Sequence, residues 1–509
     1  MNIDENEFAI AGKKILSDAI PYQDIFIYQP PFPFYFYASG LELFGSSTLF
    51  GPHLFLMLWV FLTAVILGQI AKRLYPFANI EWWTAASFIV FSTTFLPQDM
   101  LGVNGEILMA LPASLAILLI LEARKRSSFF FYFLSGLSIG WAILAKYFAG
   151  LLWLTILLLL LLDVVRKRRS LRESVFASMV VTLATFLPSL LVIGWLSWRG
   201  ALDDAINCFL YILKYAQGPS QNDPLYLFLK FTSYTTLIAW CGLFLWIGAF
   251  ARTIDDLRHR ESNGELLIVI WFLSSFVAII AGGRMYYHYY VVAYPPLVLL
   301  GTAWLCERSE AWWRKWKSFF VIMTSVSVLV FFFYAWSHSH LRGNEKDNWI
   351  APKEFLRLHA KKGDTLFVWG YCPQLYFLSG MDTATPFTTA DYLTGRSPKS
   401  AGLEYDPQMP NPPSGWKKFL NDFRDPQGVV EYDTSDNIFP PAWDILREHF
   451  EKKLPNYIVD TAPSNYRRYG RYPMSRYPYL QNIVQTHYVL FAQLRGFDIY
   501  LLRDDHETN

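Results

Sequence analysis

The chain opens MNIDENEFAIAGKKILSDAIPYQDIFIYQPP over residues 1–31, a polar and acidic stretch directly ahead of a long train of apolar runs. It lacks the basic start and short apolar core of a signal peptide. It reads instead as a folded loop pressed against a membrane, with Asp4 and Glu5 at its head. Acidic residues held at a bilayer surface beside a helical bundle are candidates for chemistry on lipid-linked substrates.

Outward from this stretch, apolar runs read as spans at about 51–71, 82–97, 105–121, 129–145, 147–163, 174–197, 233–251, 265–281, 287–305 and 317–336. Of 509 residues, 53% are hydrophobic and only 17% charged, an apolar excess concentrated in these runs. Several fall short of the roughly twenty residues of a full crossing and would tilt, re-enter or extend into their flanks. The basic clusters fix orientation. Lys72-Arg73, Arg124-Lys125-Arg126, Arg166 to Arg169, Arg252 with Arg258 and Arg260, and Arg314-Lys315 with Lys317 fall in alternate loops, which the positive-inside rule makes cytoplasmic. This layout requires 129–145 and 147–163 to be two spans meeting at Lys146. Residues 1–50 and everything after about 337 then lie outside, so either the N-terminal tail is translocated unaided or, the favoured reading, a further span is encoded upstream of Met1.

Three regions follow: 1–50, an external catalytic loop with juxtamembrane helices; 51–336, a bundle of about ten helices; and 337–509, a small α/β domain outside the membrane. In the last, alternation predicts helices at 352–361, 373–379, 442–453 and 478–486, and strands at 365–369, 457–460, 488–494 and 498–503 around Gly496. The formal net charge of +2, with cations only in short clusters between apolar runs, gives no footprint for nucleic acid. Cys208, Cys241, Cys306 and Cys372 have no metal-ligand spacing, and a Cys208–Cys372 disulfide would form only if both face an oxidising side.

Each chemically suggestive residue carries two readings. Asp4 with Glu7 has capping-box spacing on an amphipathic surface helix, or Asp4 is a general base for an acceptor hydroxyl. Glu106 follows Asn104-Gly105 at the outer end of a span, as a helix-terminal acid or a second acid near Asp4. Asp24 and Asp99 are weaker candidates that turn or cap roles explain. Lys146 either snorkels to the interface or binds a lipid phosphate. Arg284 offers a planar fork for phosphate oxygens, and His288, one turn on, adds a hydrogen bond or metal ligand. The neighbouring tyrosines 286, 287, 289 and 290 also suit an interfacial aromatic belt.

Asp4-Glu5, Ile20-Pro21-Tyr22-Gln23-Asp24, Gln29-Pro30-Pro31 and Leu43-Phe44-Gly45 resemble the first external loop of polytopic GT-C glycosyltransferases. The likeness is to bacterial family-39-like members, akin to protein O-mannosyltransferases and the lipid A aminoarabinose transferase. Asn104-Gly105-Glu106, Lys146-Tyr147, His288-Tyr289 and Pro295-Pro296 recur in the expected order, as do Val368-Trp369-Gly370, Leu375-Tyr376 and Ser379-Gly380. The resemblance implies an α-helical GT-C membrane fold at the plasma (inner) membrane, with its site outside. It implies inverting sugar transfer from a polyprenyl-phosphate donor to a protein, lipid or glycan acceptor. Asp4 would be the base, supported by Glu5 and Glu106; Lys146, Arg284 and His288 would contact the donor phosphate; Asp24, Tyr28 and Gln29 would shape the loop or meet the acceptor. The aminoarabinose branch has Glu and Lys where this chain has Tyr28 and Gln29, which removes one metal ligand and one phosphate cation and argues against that substrate. The alternatives are a flippase or transporter of lipid-linked sugars, against which the one-sided ionisable residues speak, and a non-catalytic scaffold in cell-envelope assembly, which would not need Asp4.

Overall fold

A computed structural model describes residues 3–45, 48–93, 102–216, 223–240, 242–258, 263–281, 285–308, 310–341, 348–396, 415–417 and 438–503. Two short helices, α1 (Ile3–Ile15) and α2 (Phe32–Phe44), precede the long apolar ones. These are α3 (Phe50–Leu74), α4 (Ile80–Thr93), α5 (Gly105–Arg126), α6 (Phe129–Ala145), α7 (Gly150–Val165) and α8 (Leu171–Trp198). Next come α9 (Leu202–Ala216), α10 (Pro224–Trp240), α11 (Leu243–Arg258), α12 (Asn263–Ala281), α13 (Tyr294–Cys306) and α14 (Glu310–Leu341). Among the described residues, five helical stretches are long and apolar enough to cross a bilayer: Phe50–Leu74, Gly105–Arg126, Tyr147–Val165, Leu171–Trp198 and Tyr287–Cys306. On α8, Leu183, Leu190 and Leu191 stay exposed, as side chains facing lipid do.

The single span expected at 233–251 is not one straight helix. That stretch belongs to two helices, α10 and α11, which meet at a bend of 113°. Averaged hydropathy runs smoothly across a bend because the residues on both sides are apolar.

Polar contacts level the helix ends. Arg73 at the end of α3 donates to Glu122 of α5 at 2.7 Å, and Arg124 grips Asp163 of α7 with both arms at 2.9 and 2.8 Å. The basic clusters of α3, α5 and α7 therefore share one face of the bundle. Each charge in the Arg124–Asp163 pair is largely withdrawn from solvent, and the bidentate geometry offsets the cost of burying them.

The C-terminal domain holds α15 (Ile350–His359), β1 (Thr365–Trp369), α16 (Gln374–Ser379), β2 (Asp382–Thr383), α17 (Asp391–Thr394), α18 (Ala442–Lys452), β3 (Tyr457–Asp460), α19 (Pro478–His487), β4 (Tyr488–Leu494) and β5 (Phe497–Leu502). The sheet order is β2-β1-β3-β5-β4, with β1 parallel to β2 and β3 and the other pairs antiparallel. Arg495 and Gly496 both take positive φ (53° and 79°), the two-residue turn that a right-twisted hairpin favours.

This domain sits on the N-terminal segment. Phe26 donates its N–H to Pro386 O at 2.9 Å, and its ring packs 4.7 Å from those of Tyr392 and Phe439. Lys13 reaches Gly380 O at 3.1 Å and Asp382 at 3.3 Å. On its other side α1 lies against α2, where a Cβ on Gly12 would stand 2.7 Å from Ala38 N. Residues 3–44 are thus wedged between the bundle and the outer domain.

Candidate active site

The acids of α1 divide between two directions, because i and i+3 share a helix face while i+1 turns about 100° away. Glu7 accepts a hydrogen bond from Thr388 Oγ1 of the outer domain at 3.2 Å. Asp4 lies within electrostatic reach of Glu7, Tyr37 and Tyr371. The capping-box and surface-helix readings both fail here. The helix already includes Ile3, so Asp4 stands in its first turn, and Glu7 reaches another domain instead of turning back. Glu5 through Gly12 are all buried.

Burial, reinforced by the neighbouring Asp4 carboxylate, pushes the Glu7 carboxyl up to about 8 from its ordinary 4.5. The folded protein then holds a proton that the unfolded chain has released between those two values. Stability is expected to fall as pH rises through that window, with a limiting slope of about 1.4 kcal/mol per pH unit. Thermal midpoints at pH 5.5 and 7.5 check this; Glu7→Gln should flatten the difference, and an unchanged difference would remove Glu7 as its source.

Glu5 points the other way. Its Oε1 accepts from Val103 N at 3.0 Å and lies 2.9 Å from His53 Nε2 at the head of α3 and 3.5 Å from Tyr37 OH. Tyr37 OH also reaches Val103 O at 3.3 Å. Glu5 is therefore a buried clasp on the Gly102–Asn104 loop, immediately before α5 and Glu106.

Glu106, 1% exposed, pairs with Lys146 Nζ at 2.8 Å, and His288 Nε2 lies 4.0 Å away. Lys146 sits at the extended break between α6 and the short turn Tyr147–Ala149, and its ammonium lies 5.4 Å from the Tyr289 ring. The snorkelling reading is overturned, since the side chain turns inward to the acid and is only 12% exposed. Gly105 makes this approach possible, because a Cβ there would stand 2.6 Å from Ala145 O and 3.2 Å from Lys146 Cδ. His288 belongs to a 3-10 turn, Tyr287–Ala293, ahead of α13, whose first turn holds Pro295 and Pro296. The His288 ring stacks on Tyr286 at 5.5 Å, and its buried Nδ1 has no hydrogen-bond partner among the described residues.

The remaining candidates are placed as follows. Asp24 closes a turn by accepting from Ile20 N at 2.6 Å, which is loop shaping. Tyr28 packs 5.9 Å from Tyr211, and Gln29 contributes its carbonyl to Tyr22 OH at 3.1 Å. Arg284 and Asp99 lie outside the described residues. Cys208 and Cys372 are free thiols, so the disulfide option is overturned. Among the described residues no three His, Cys, Asp or Glu side chains form a group able to hold a metal ion. An apolar cavity of about 910 Å³ opens between α2, α3, α6 and α8, walled by Phe32, Trp59, Trp141, Leu144, Pro188 and Trp195.

Sequence reading missed His53, Tyr37 and Thr388. His53, after Pro52 at the head of a span, was the one with a visible signal, a polar ring where the apolar run begins. Tyr37 and Thr388 have none, because their partners lie 32 and 381 positions away.

Residues 28–193 match the family model described as dolichyl-phosphate-mannose-protein mannosyltransferase. No curated protein sequence matches the chain significantly. Among solved structures, the archaeal oligosaccharyltransferase AglB from Archaeoglobus fulgidus, in complex with an inhibitory peptide and a dolichol-phosphate, aligns over 100% of this chain and 71% of its own, with 10% identity and a TM-score of 0.54. The A. fulgidus oligosaccharyltransferase tethered to an acceptor peptide aligns over 95% and 68%, with 11% identity and a TM-score of 0.49. The family match is confined to residues 28–193, and over the whole chain the likeness to the archaeal oligosaccharyltransferase is one of fold, with five helical stretches among the described residues long and apolar enough to cross a membrane.

Proposed function

We propose that the enzyme transfers a sugar from a polyprenyl-phosphate donor to an acceptor hydroxyl on the extracytoplasmic side of the plasma membrane, with inversion, and that Asp4 is the base. The observation that carries this reading is the loop at 102–105, which joins the α1 acids, through Glu5, to Glu106 with Lys146 and His288. Asp4 takes the acceptor proton as the hydroxyl oxygen attacks the anomeric carbon. The bond from that carbon to the phosphate oxygen breaks, and its electron pair leaves with the polyprenyl phosphate. Lys146 and His288, with Arg284, meet the charge that grows on that oxygen. Glu106 holds Lys146 in place while leaving ammonium hydrogens free for the phosphate. The apolar cavity suits the carrier chain, because Leu144, two residues before Lys146, is part of its wall. The dolichol-phosphate in the archaeal enzyme of the same fold supports a lipid-linked donor. The test is incubation of the purified protein with labelled polyprenyl-phosphate sugars; release or transfer of sugar from none of them would overturn the reading.

Sidedness has its own test. The basic face holding Arg73, Arg124 and Asp163 is assigned to the cytoplasm by the positive-inside rule. A cysteine at exposed Lys362 should react with an impermeant thiol reagent in intact cells, with any outer membrane permeabilised, whereas one at exposed Lys167 should react only after lysis. The reverse pattern would sink the orientation.

A further inference from the structure

We propose that the cavity enclosed by the N-terminal segment, α9 and the outer-domain helix α18 is a saccharide site, and that the acceptor is a glycan whose uncharged sugar ring it holds. The role of the bound ring as acceptor rests on the reading of the protein as a sugar transferase.

The cavity measures about 340 Å³, the size of a small-molecule site. Its walls come from three places far apart in the chain. α18 contributes Ile445, Glu448, His449 and Lys452, the spacing of one helix face. α9 contributes Asp204 and Asn207, again on one face, and Gln23 of the N-terminal segment hydrogen-bonds Asp204. Tyr22, Phe26 and Phe439 supply an apolar side, where the rings of the two phenylalanines pack 4.7 Å apart. Docking of the outer domain on Phe26 therefore shapes this space.

The polar lining selects the ligand. Three carboxylates, Asp24, Asp204 and Glu448, border the cavity, and among the described residues its one lysine, Lys452, is bonded to Glu448 at 2.6 Å. A phosphate or other anion would face like charge here. Ionised carboxylates only accept hydrogen bonds. Asp24 commits Oδ2 to Ile20 N at 2.6 Å and keeps Oδ1. His449 Nδ1 lies 2.9 Å from Ile445 O. A carbonyl can only accept, so Nδ1 carries the proton and Nε2 of the neutral ring is an acceptor. Asn207 and Gln23 add amides that both donate and accept. Acceptors in excess, beside two amides and an aromatic wall, match a ring rich in hydroxyl donors and apolar along its C–H face. A lone ammonium would satisfy the carboxylates but leave the amides and the apolar wall without a partner.

The position links this cavity to the candidate active site. Tyr22 also walls the apolar cavity of about 910 Å³, so one side chain borders both spaces. The Phe209 ring of α9 packs 6.0 Å from that of Tyr147, the residue after Lys146. Asp204 and Asn207 precede Phe209 on the same helix by at most five positions, about 8 Å along its axis. A glycan held here lies near the proposed phosphate cation and leaves the apolar cavity open to the carrier chain.

The test is binding by the full chain. Labelled protein in neutral nanodiscs is applied to an array of uncharged oligosaccharides built from hexoses, N-acetylhexosamines, deoxyhexoses and pentoses, with phosphorylated glycans and oligolysine as charged probes. Retention on at least one uncharged glycan is the expected result. It should be at least tenfold weaker in Asn207→Trp, which puts an indole into the cavity, and in His449→Phe on the other helix, and it should survive saturating polyprenyl phosphate. Asn207 is exposed, so its replacement leaves the fold intact, which an unchanged thermal midpoint checks. Retention on no uncharged glycan, equal retention by wild type and both variants, preference for oligolysine or phosphorylated glycans, or displacement by polyprenyl phosphate overturns the proposal. If the pattern holds while no labelled donor is ever turned over, the saccharide site stands and the transferase reading falls. If a donor is turned over while the array stays blank, the reverse is true.

Discussion

Asp4→Asn protein should fold, insert and bind donor, yet turn over at roughly one hundredth of the normal rate or less. Asparagine keeps the size of the side chain and most of its hydrogen bonding but cannot take a proton. The neighbouring acids do not substitute. Glu5 is committed to Val103 N and His53, and Glu7, already protonated near neutral pH, is bonded to Thr388. Initial rates with a fixed acceptor, alongside donor binding at equilibrium, separate the two effects. Normal turnover in Asp4→Asn protein would make Asp4 a structural residue and end the assignment.

Lys146→Met should be damaging twice over, and the two harms come apart in a double variant. Removing the ammonium strands the buried Glu106 carboxylate, a change that costs about 3–5 kcal/mol where a buried pair is broken from one side. It also removes the proposed phosphate cation, on the order of 2–4 kcal/mol of donor and transition-state binding for a dry contact. Pairing Lys146→Met with Glu106→Gln removes the stranded charge, so thermal stability should largely return while donor affinity and turnover stay low. Recovery of turnover together with stability would reduce Lys146 and Glu106 to a structural pair.

Much of this could be read from local pattern. The apolar runs locate the long helices because a span must satisfy its own backbone within one segment, and Lys146 between two runs marks a real break. The strands at 365–369 and 457–460 show themselves as short β-branched and aromatic runs. What failed was information stored far away in the chain. The bend between α10 and α11 falls inside the apolar run 233–251 without breaking it, so nothing announces it. β2 has only two residues, Asp382 and Thr383, too few for alternation to appear. Asp4, Glu5, Glu106, Lys146 and His288 stood out as charge in apolar surroundings, yet their division into a Glu5 clasp and a Glu106–Lys146 pair depends on which neighbour each faces. Glu7 looked like a cap because the residue it bonds lies in another domain.

The wedging of α1 beneath the outer domain bears on how the protein is made. The first acids emerge from the ribosome early, but Thr388, the partner of Glu7, follows 381 positions later. At roughly 5–20 residues per second, that delay is on the order of twenty to eighty seconds. Until then a nascent chain has its helices threaded through the bilayer and its acidic segment without a lid. On the proposed reading of the α1 acids, catalytic competence is the final event of biogenesis, and a product cut short before the last domain is expected to be inserted but inert.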